Sequence, residues 1–338
     1  MKLAKLSRLT LLFAISGAFS IQAFAIEAVT NPVGVIQKTA LGDSDTLISI
    51  PLKRPAVFNG VVASISGATL TAEGSPGWTA NEWAGAYYAF ARSGGAAGGY
   101  AMIESNTANS VTFEEALDGS GLAQGDSFSI HPFWTLGTLF PDGAGVHESA
   151  NHVNRDTEIF IPDAGGLGTN LGAETTFYYY NGAFHQVGAA LDATFDDAPL
   201  LPDTYFVLRN NTSTATTVTF TGEVVMGSLS LPLLALDAGE QDNVVGLQRP
   251  IEMTLDESGL GASLEPGDQL LVWDDSTPKQ NRPLSDATVY TWDGSSWSGG
   301  NAGGADEVFT PGRGVLIRRG ATGSISEVDW QNSPNYGN

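Results

Sequence analysis

Two Gly-Asp-Ser triplets, Gly42-Asp43-Ser44 and Gly125-Asp126-Ser127, are the first residues in the chain that could do chemistry. A serine on such a turn can act as a nucleophile when a histidine base stands within hydrogen-bond reach. The last histidine is His185, no Asp-x-x-His pair follows, and Ser127 falls inside an alternating stretch, so both triplets read as turns leading into strands. The four histidines, His131, His147, His152 and His185, could bind a metal, but His147 and His152 are five apart, a spacing that suits neither a helix face nor a His-Glu-x-x-His site. Hard oxygen ligands for calcium are offered by Asp43 with Asp45, Asp196 with Asp197, and Asp274 with Asp275. No Asp-x-Asp-x-Asp-Gly loop completes any of them, and calcium needs six or more converging oxygens. No cofactor is therefore expected, calcium being the one ion the sequence leaves open. A glycosidase would need two facing carboxylates, and the 37 acidic residues present too many pairs to choose among. The Gly94 to Gly99 stretch lacks the Lys-Ser/Thr ending of a phosphate-binding loop.

A more specific pattern is aromatic. Tyr178, Tyr180 and Phe184 flank one expected hairpin, and Trp292 and Trp297 flank another. Alternating aromatics on a strand can offer a flat platform to sugar rings, with Trp292, Trp297, Tyr178 and Tyr180 as the candidate carbohydrate-binding residues. The competing assignment is a β core, where strand aromatics usually go.

Any such site must be carried by strands. Forty-one glycines, abundant Ser, Thr and Val, and a charged fraction of 15% favour strands and turns over helices. The expected fold class is all-β: a small N-terminal barrel or sandwich, then a duplicated β-unit, with few short helical turns. Strands are expected over 46–52, 60–66, 68–72, 86–92, 100–105, 110–114 and 127–130, with a helical turn at 78–83. Pro141-Asp142-Gly143 breaks this pattern and bounds an expected first domain, 26–141, from a second region, 142–338.

Three blocks recur in order within that second region. Asp156-Thr-Glu-Ile-Phe160 matches Asp268-Gln-Leu-Leu-Val272, Thr176 to Phe184 matches Thr288 to Trp297, and Pro202 to Arg209 matches Pro311 to Arg318. The spacing stays near 110 residues, which suggests two related units over about 150–227 and 249–330. Asn181-Gly182 and Asp293-Gly294 suit the hairpin turns. A fainter echo links Gly42-Asp-Ser-Asp45 and Lys53-Arg54-Pro55 with Gly239-Glu-Gln-Asp242 and Gln248-Arg249-Pro250, read here as related linkers.

The N-terminus has the three parts of a secretory signal: Lys2, Lys5 and Arg8, an apolar stretch from Leu9 to Phe24, and Ala23-Phe24-Ala25 before the expected cleavage point. The stretch is short for a membrane-spanning helix and is interrupted by Ser16-Gly17, and no later segment is long and apolar enough to span. Cleavage after Ala25 leaves 313 residues and moves the net charge from -22 to -25, because three cations leave with the leader. A surface so acidic repels nucleic acid. With no cysteine, stability must come from burial, which a chain of this length can supply. The expected location is the periplasm, cell surface or medium.

Phe133 to Pro141, Ser93-Gly-Gly-Ala-Ala-Gly98, Ser105-Asn-Thr-Ala-Asn109 and Pro311-Gly-Arg-Gly314 together give the mature chain a likeness to a known group. It resembles an uncharacterised paralogous set of exported proteins of Verrucomicrobium-like bacteria. The resemblance implies secretion and a shared architecture and transfers no catalytic or binding residue. The sequence therefore favours an exported, non-enzymatic protein with a structural or adhesive role at the cell surface, using self-assembly through strand edges. The alternatives are an extracellular carbohydrate-binding module and, third, a polysaccharide-acting hydrolase.

Overall fold

Exposed and covered side chains alternate along the first strand, β1 (Val33–Ala40), whereas the second, β2 (Ser44–Ser49), is buried on both faces. They are joined by a turn at which Asp43 takes a left-handed conformation, φ 50°. The computed structural model describes residues 31–117, 120–334 and 336, so the expected leader lies outside the described residues. Strand accounts for 43% of the chain and helix for 6%, which makes the protein all-β. Among the described residues no sheet closes into a barrel.

Next comes a seven-stranded sheet built from β3 (Phe58–Ser66), β4 (Thr69–Ala72), β5 (Tyr87–Ala91), β6 (Tyr100–Met102), β7 (Ser105–Asn106), β8 (Ser110–Thr112) and β9 (Ser127–Pro132). Its order is β6-β5-β9-β3-β4-β8-β7. The register of β3 slips between Val62 and Ser64, so its first half pairs with β9 and its second half with β4. Such a bulge bends a strand. The sheet folds over far enough that its edge strands β6 and β7 are consecutive in the chain, separated only by Ile103 and Glu104. Gly67, at φ 56°, makes the β3–β4 turn. The stretch 78–83, expected to be a helical turn, is a series of non-helical turns.

The chain then returns to β1 and β2. It forms β10 (Trp134–Thr135), α1 (Leu136–Leu139), β11 (Thr157–Pro162), β12 (Ala173–Tyr180), β13 (Ala183–Gln186), β14 (Pro199–Leu200), β15 (Tyr205–Asn210) and β16 (Thr216–Glu223). The one-turn helix is capped by Thr135, whose hydroxyl accepts the Thr138 N–H while the Thr138 hydroxyl accepts that of Thr135. A five-stranded sheet has the order β13-β12-β11-β15-β2, and β1 pairs with β16 over eight residues. The strands before Pro141 therefore divide: β1, β2 and β10 pair with strands after it, and β3 to β9 make the separate sheet.

The remainder runs through β17 (Leu229–Ala235), β18 (Gln241–Gly246), β19 (Met253–Thr254), β20 (Gln269–Trp273), β21 (Ala287–Trp292), β22 (Trp297–Gly299), β23 (Glu307–Phe309), β24 (Gly314–Arg319) and β25 (Ser326–Asn332). Its five-stranded sheet has the order β22-β21-β20-β24-β18, and β17 pairs with β25. Rank for rank this is the order of the first five-stranded sheet. The segments Gly42–Asp45 and Gly239–Asp242, expected to be linkers, lead into β2 and β18 and supply their first residues. The two aromatic hairpins differ at the turn. Asn181 and Gly182 both have positive φ, 52° and 78°, as a two-residue turn requires, whereas Asp293 spans a longer turn by accepting the Ser295 and Ser296 N–H groups.

Each five-stranded sheet buries both faces. One face of the first packs Ile48, Ile159 and Leu208 against Phe220 of the β1–β16 ribbon, and one face of the second packs Val245, Leu270 and Ile317 against Trp330 of β17–β25. The two sheets share a smaller core of Leu47, Tyr205, Val244, Leu271, Trp273 and Leu316. Around it the hydrogen bonding is reciprocal. Asp45 holds Arg209 through two bonds of 2.7 Å and accepts the Asn281 N–H at 2.7 Å; Asp242 holds Arg318 at 2.6 and 3.0 Å and accepts the Asn170 N–H at 2.7 Å. The Asp45 N–H donates to the Lys279 carbonyl and the Asp242 N–H to the Gly168 carbonyl, each at 2.9 Å. Each sheet thus sends its own β-turn loop across to the acid of the other, an isologous pattern within one chain.

Candidate binding groove

The concave side of the seven-stranded sheet is lined by the residues its alternation turns inward. Leu70 on β4, Ala89 on β5 and Phe128 on β9, with Phe113 just past β8, form an apolar core, and Leu117 and Leu122 pack against it. The concavity opens as a groove of about 580 Å³ toward the outer face of the β17–β25 ribbon. Its polar lining is acidic: Glu114 and Glu115 follow β8, Asp203 precedes β15, and Glu327 and Asp329 lie on β25. Among the described residues no lysine, arginine or histidine lines it. Among the described residues none of these five carboxylates forms a salt bridge.

Two further features shape the groove. The Tyr100 hydroxyl donates to Asp203 Oδ1 at 2.7 Å, and burial raises the affinity of both groups for their protons. Strand β6 runs along the groove as a sheet edge. The Ala91 N–H bonds to the Gly99 carbonyl and the Ile103 N–H to the Tyr87 carbonyl, which sets the alternation: Tyr100 and Met102 turn their backbone groups away from β5. Those groups have no partner among the described residues.

Behind the groove lies a buried polar cluster. Lys53 Nζ is 3.3 Å from His131 Nε2, which is also 2.9 Å from Ser129 Oγ, while His131 Nδ1 is 2.9 Å from the Arg54 carbonyl. Nδ1 must therefore carry the proton it donates to that carbonyl, leaving Nε2 as acceptor in the neutral ring. Burial lowers the Lys53 pKa to about 8, with Glu223 opposing it, and burial followed by the Lys53 charge lowers His131 to about 3. A serine, a histidine and a depressed lysine would suit nucleophilic chemistry. Here they are sealed: Ser129 is 1% exposed, His131 0% and Lys53 6%. With the Lys53 backbone bonded both ways to Glu223, the cluster ties the seven-stranded sheet to β16.

The residues singled out by sequence are dispersed. Ser44 is buried and accepts the Lys279 N–H at 3.1 Å, and the Ser127 N–H donates to Ser93 Oγ at 2.8 Å. His147 Nε2 meets the Thr214 carbonyl, His152 lies against Tyr180, and His185 stacks on Tyr178. Asp45 is engaged by Arg209, Asp196 accepts the Phe184 N–H, Asp274 caps Ser276, and Asp275 pairs with Lys38 at 2.8 Å. Among the described residues no three His, Asp or Glu side chains are placed to hold a metal ion. Trp297 is 7% exposed and belongs to the core under β17–β25, with Trp292 half-buried against it at 5.2 Å and 53°. Tyr178 is 3% exposed beneath Arg155, and Tyr180 is half-buried. Two of the four candidate sugar-binding rings thus offer no open face.

No sequence pattern marks the groove, because its carboxylates come from separate segments. The only local signal was Glu114-Glu115, two acids immediately after a strand. Among the described residues no helix is long and apolar enough to cross a membrane. No family model, curated protein or solved structure matches the chain.

Proposed function

We propose that this is an exported, non-enzymatic β protein of the cell surface or extracellular space, and that it works by adhesion. The groove takes an extended polypeptide segment bearing apolar and basic side chains. The observation that supports this is the pairing of an apolar floor with five carboxylates and no cation, beside the open backbone edge of β6. Apolar side chains would enter the concavity, basic ones would meet Glu114, Glu115, Glu327 and Asp329, and the segment's backbone would extend the sheet at Tyr100 and Met102.

The signal-like N-terminus and the cysteine-free, acidic composition support export. An internal duplication supports the same reading of a repeated scaffold carrying an inserted binding sheet: like strand order, and the reciprocal Asp45–Asn281 and Asp242–Asn170 contacts, would follow from it. The offset between partners is 197 residues from Asp45 to Asp242 but 111 from Asn170 to Asn281, as an insertion between β2 and β10 would produce.

Calorimetric titration with a short alternating Leu-Lys peptide, and with its Leu-Glu counterpart, tests the proposal. The cationic peptide should bind, more weakly at 0.5 M salt, and the combined Glu114→Gln, Glu115→Gln, Glu327→Gln change should weaken it at least tenfold. Equal binding of both peptides, or none of either, would overturn it.

A further inference from the structure

We infer that the outer edge of β1 is a self-association site, at which a second copy of this chain adds its own β1 antiparallel to make a continuous β16-β1-β1-β16 sheet. The Val224 N–H donates to the Pro32 carbonyl at 2.8 Å, which fixes the alternation along the β1–β16 ladder. Val33, Val35, Gln37 and Thr39 consequently point their N–H and C=O groups away from β16. On the far side of that ladder Glu223, opposite Val33, turns its own groups outward to Lys53. Among the described residues the eight outward N–H and C=O groups of β1 have no hydrogen-bond partner. Val33 and Val35 are 68% and 62% exposed.

The protein contains its own control. In the second half β17 occupies the place of β1, and its outward residues are Ser230, Pro232 and Leu234. The Ser230 N–H is taken by the Gly98 carbonyl at 3.1 Å, Pro232 has no N–H, and the Asn243 side-chain amide covers Leu234, accepting its N–H at 2.7 Å and donating to its carbonyl at 3.0 Å. Proline and a covering loop are the devices by which edges are kept from pairing. Strand β1 has none of them: its register is unbroken over eight pairs, it contains no proline, and its one charge, Lys38, is held by Asp275.

The charge distribution selects the occupant. Two chains of net charge -22 repel, and the four outward residues of β1 carry no charge that would add to this repulsion where the two copies meet. An antiparallel pairing about Ile36 sets Val33 opposite Thr39 of the second copy and Val35 opposite Gln37. Every open backbone group on both edges is then used, and one operation relates the two copies, as a closed dimer requires. The repulsion makes this association stronger in salt, the reverse of what the groove should show.

Sedimentation velocity on the purified protein, at 0.1 and 0.5 M salt over a hundredfold concentration range, reads the association. The wild type should dimerise, more tightly at the higher salt. Gln37→Pro, which removes an outward N–H and no ladder bond, and Val35→Lys should each be monomeric with unchanged circular dichroism, whereas Val57→Lys, at an exposed valine elsewhere, should dimerise as the wild type does. A monomeric wild type in both salts, or dimers of undiminished affinity from Gln37→Pro and Val35→Lys, would overturn the inference. Peptide binding at the groove is unaffected by either variant, so failure of one reading is distinguishable from failure of the other.

Discussion

Tyr205 occupies the space that a side chain on Gly314 would need: a Cβ built on Gly314 falls 2.4 Å from the Tyr205 Cβ. The two residues hold the same place in their sheets, Tyr205 opposite Ser49 on β2 and Gly314 opposite Gly246 on β18. Where two like sheets meet, one large side chain can fill the centre and a second cannot. The glycine pair is the hole into which Tyr205 fits, and a Cβ on Gly246 would strike the Thr204 carbonyl oxygen at 2.2 Å. Gly314→Val and Gly246→Val should therefore each destabilise the fold by roughly 3 kcal/mol or more, because backbone and a buried ring must move. Urea unfolding midpoints check this, and a loss under 1 kcal/mol would show that the seam is loose.

The ion pairs at the same seam should differ in cost. The Asp242 and Arg318 side chains are 0% and 13% exposed, those of Asp45 and Arg209 7% and 20%. Removing a carboxylate leaves an arginine and an Asn N–H without their acceptor, a loss that grows with burial. Asp242→Ala should cost on the order of 3 kcal/mol and Asp45→Ala less, about 2. Chemical denaturation of both variants, with Arg318→Met and Arg209→Met alongside, measures the difference; equal losses would mean that solvent screens both pairs alike.

The blocks that were legible in the sequence were those with local cues: Asn181-Gly182 between two aromatic runs, and prolines ahead of β15 and β24. The Gly42–Asp45 echo was visible too, but without the Arg209 and Asn281 contacts nothing marked Asp45 as part of a strand instead of a linker. Strand β1 escaped notice because Gly34 and Lys38 interrupt its apolar face, and its partner β16 lies far along the chain. The groove was illegible for the same reason, since Glu115, Asp203 and Glu327 become neighbours only when the seven-stranded sheet is docked on β17–β25. For His131 the sequence suggests a metal ligand alone, since Lys53, whose Nζ lies against its ring, is 78 residues away.

Lys53 and His131 give the protein a readable pH profile. Both pKa values are lower in the folded state than when unfolded, so the unfolded chain binds more protons and stability rises with pH across each interval. For His131 that interval runs from about 3 to its ordinary 6.5, and for Lys53 from about 8 to its ordinary 10.5. Burial raises Tyr88 and Tyr205, which oppose the rise near and above their ordinary value of 10. Urea midpoints should accordingly fall as pH drops below 6.5 and climb between pH 8 and about 9.5, the full Lys53 effect being roughly 3 kcal/mol. Lys53→Met should remove the alkaline climb and move the His131 titration, followed by proton NMR, back toward 6.5; a climb that survives the substitution would assign it to another group.

The paired tryptophans separate the two assignments of the aromatic hairpins. Trp297 is held in the core with Tyr290 and Val308, and Trp292 lies over Gly261, where a built Cβ would meet its ring at 2.8 Å. A ring so placed contributes by burial, and its removal leaves a cavity that the surrounding strands fill only in part. Trp297→Ala should cost about 3 to 5 kcal/mol, and the half-buried Trp292→Ala less. Peptide affinity at the groove should not change in either variant while it remains folded. Retention on insoluble polysaccharides provides the opposing measurement: wild-type binding that Trp292→Ala abolishes at unchanged melting temperature would make the ring a sugar platform and not a piece of the core.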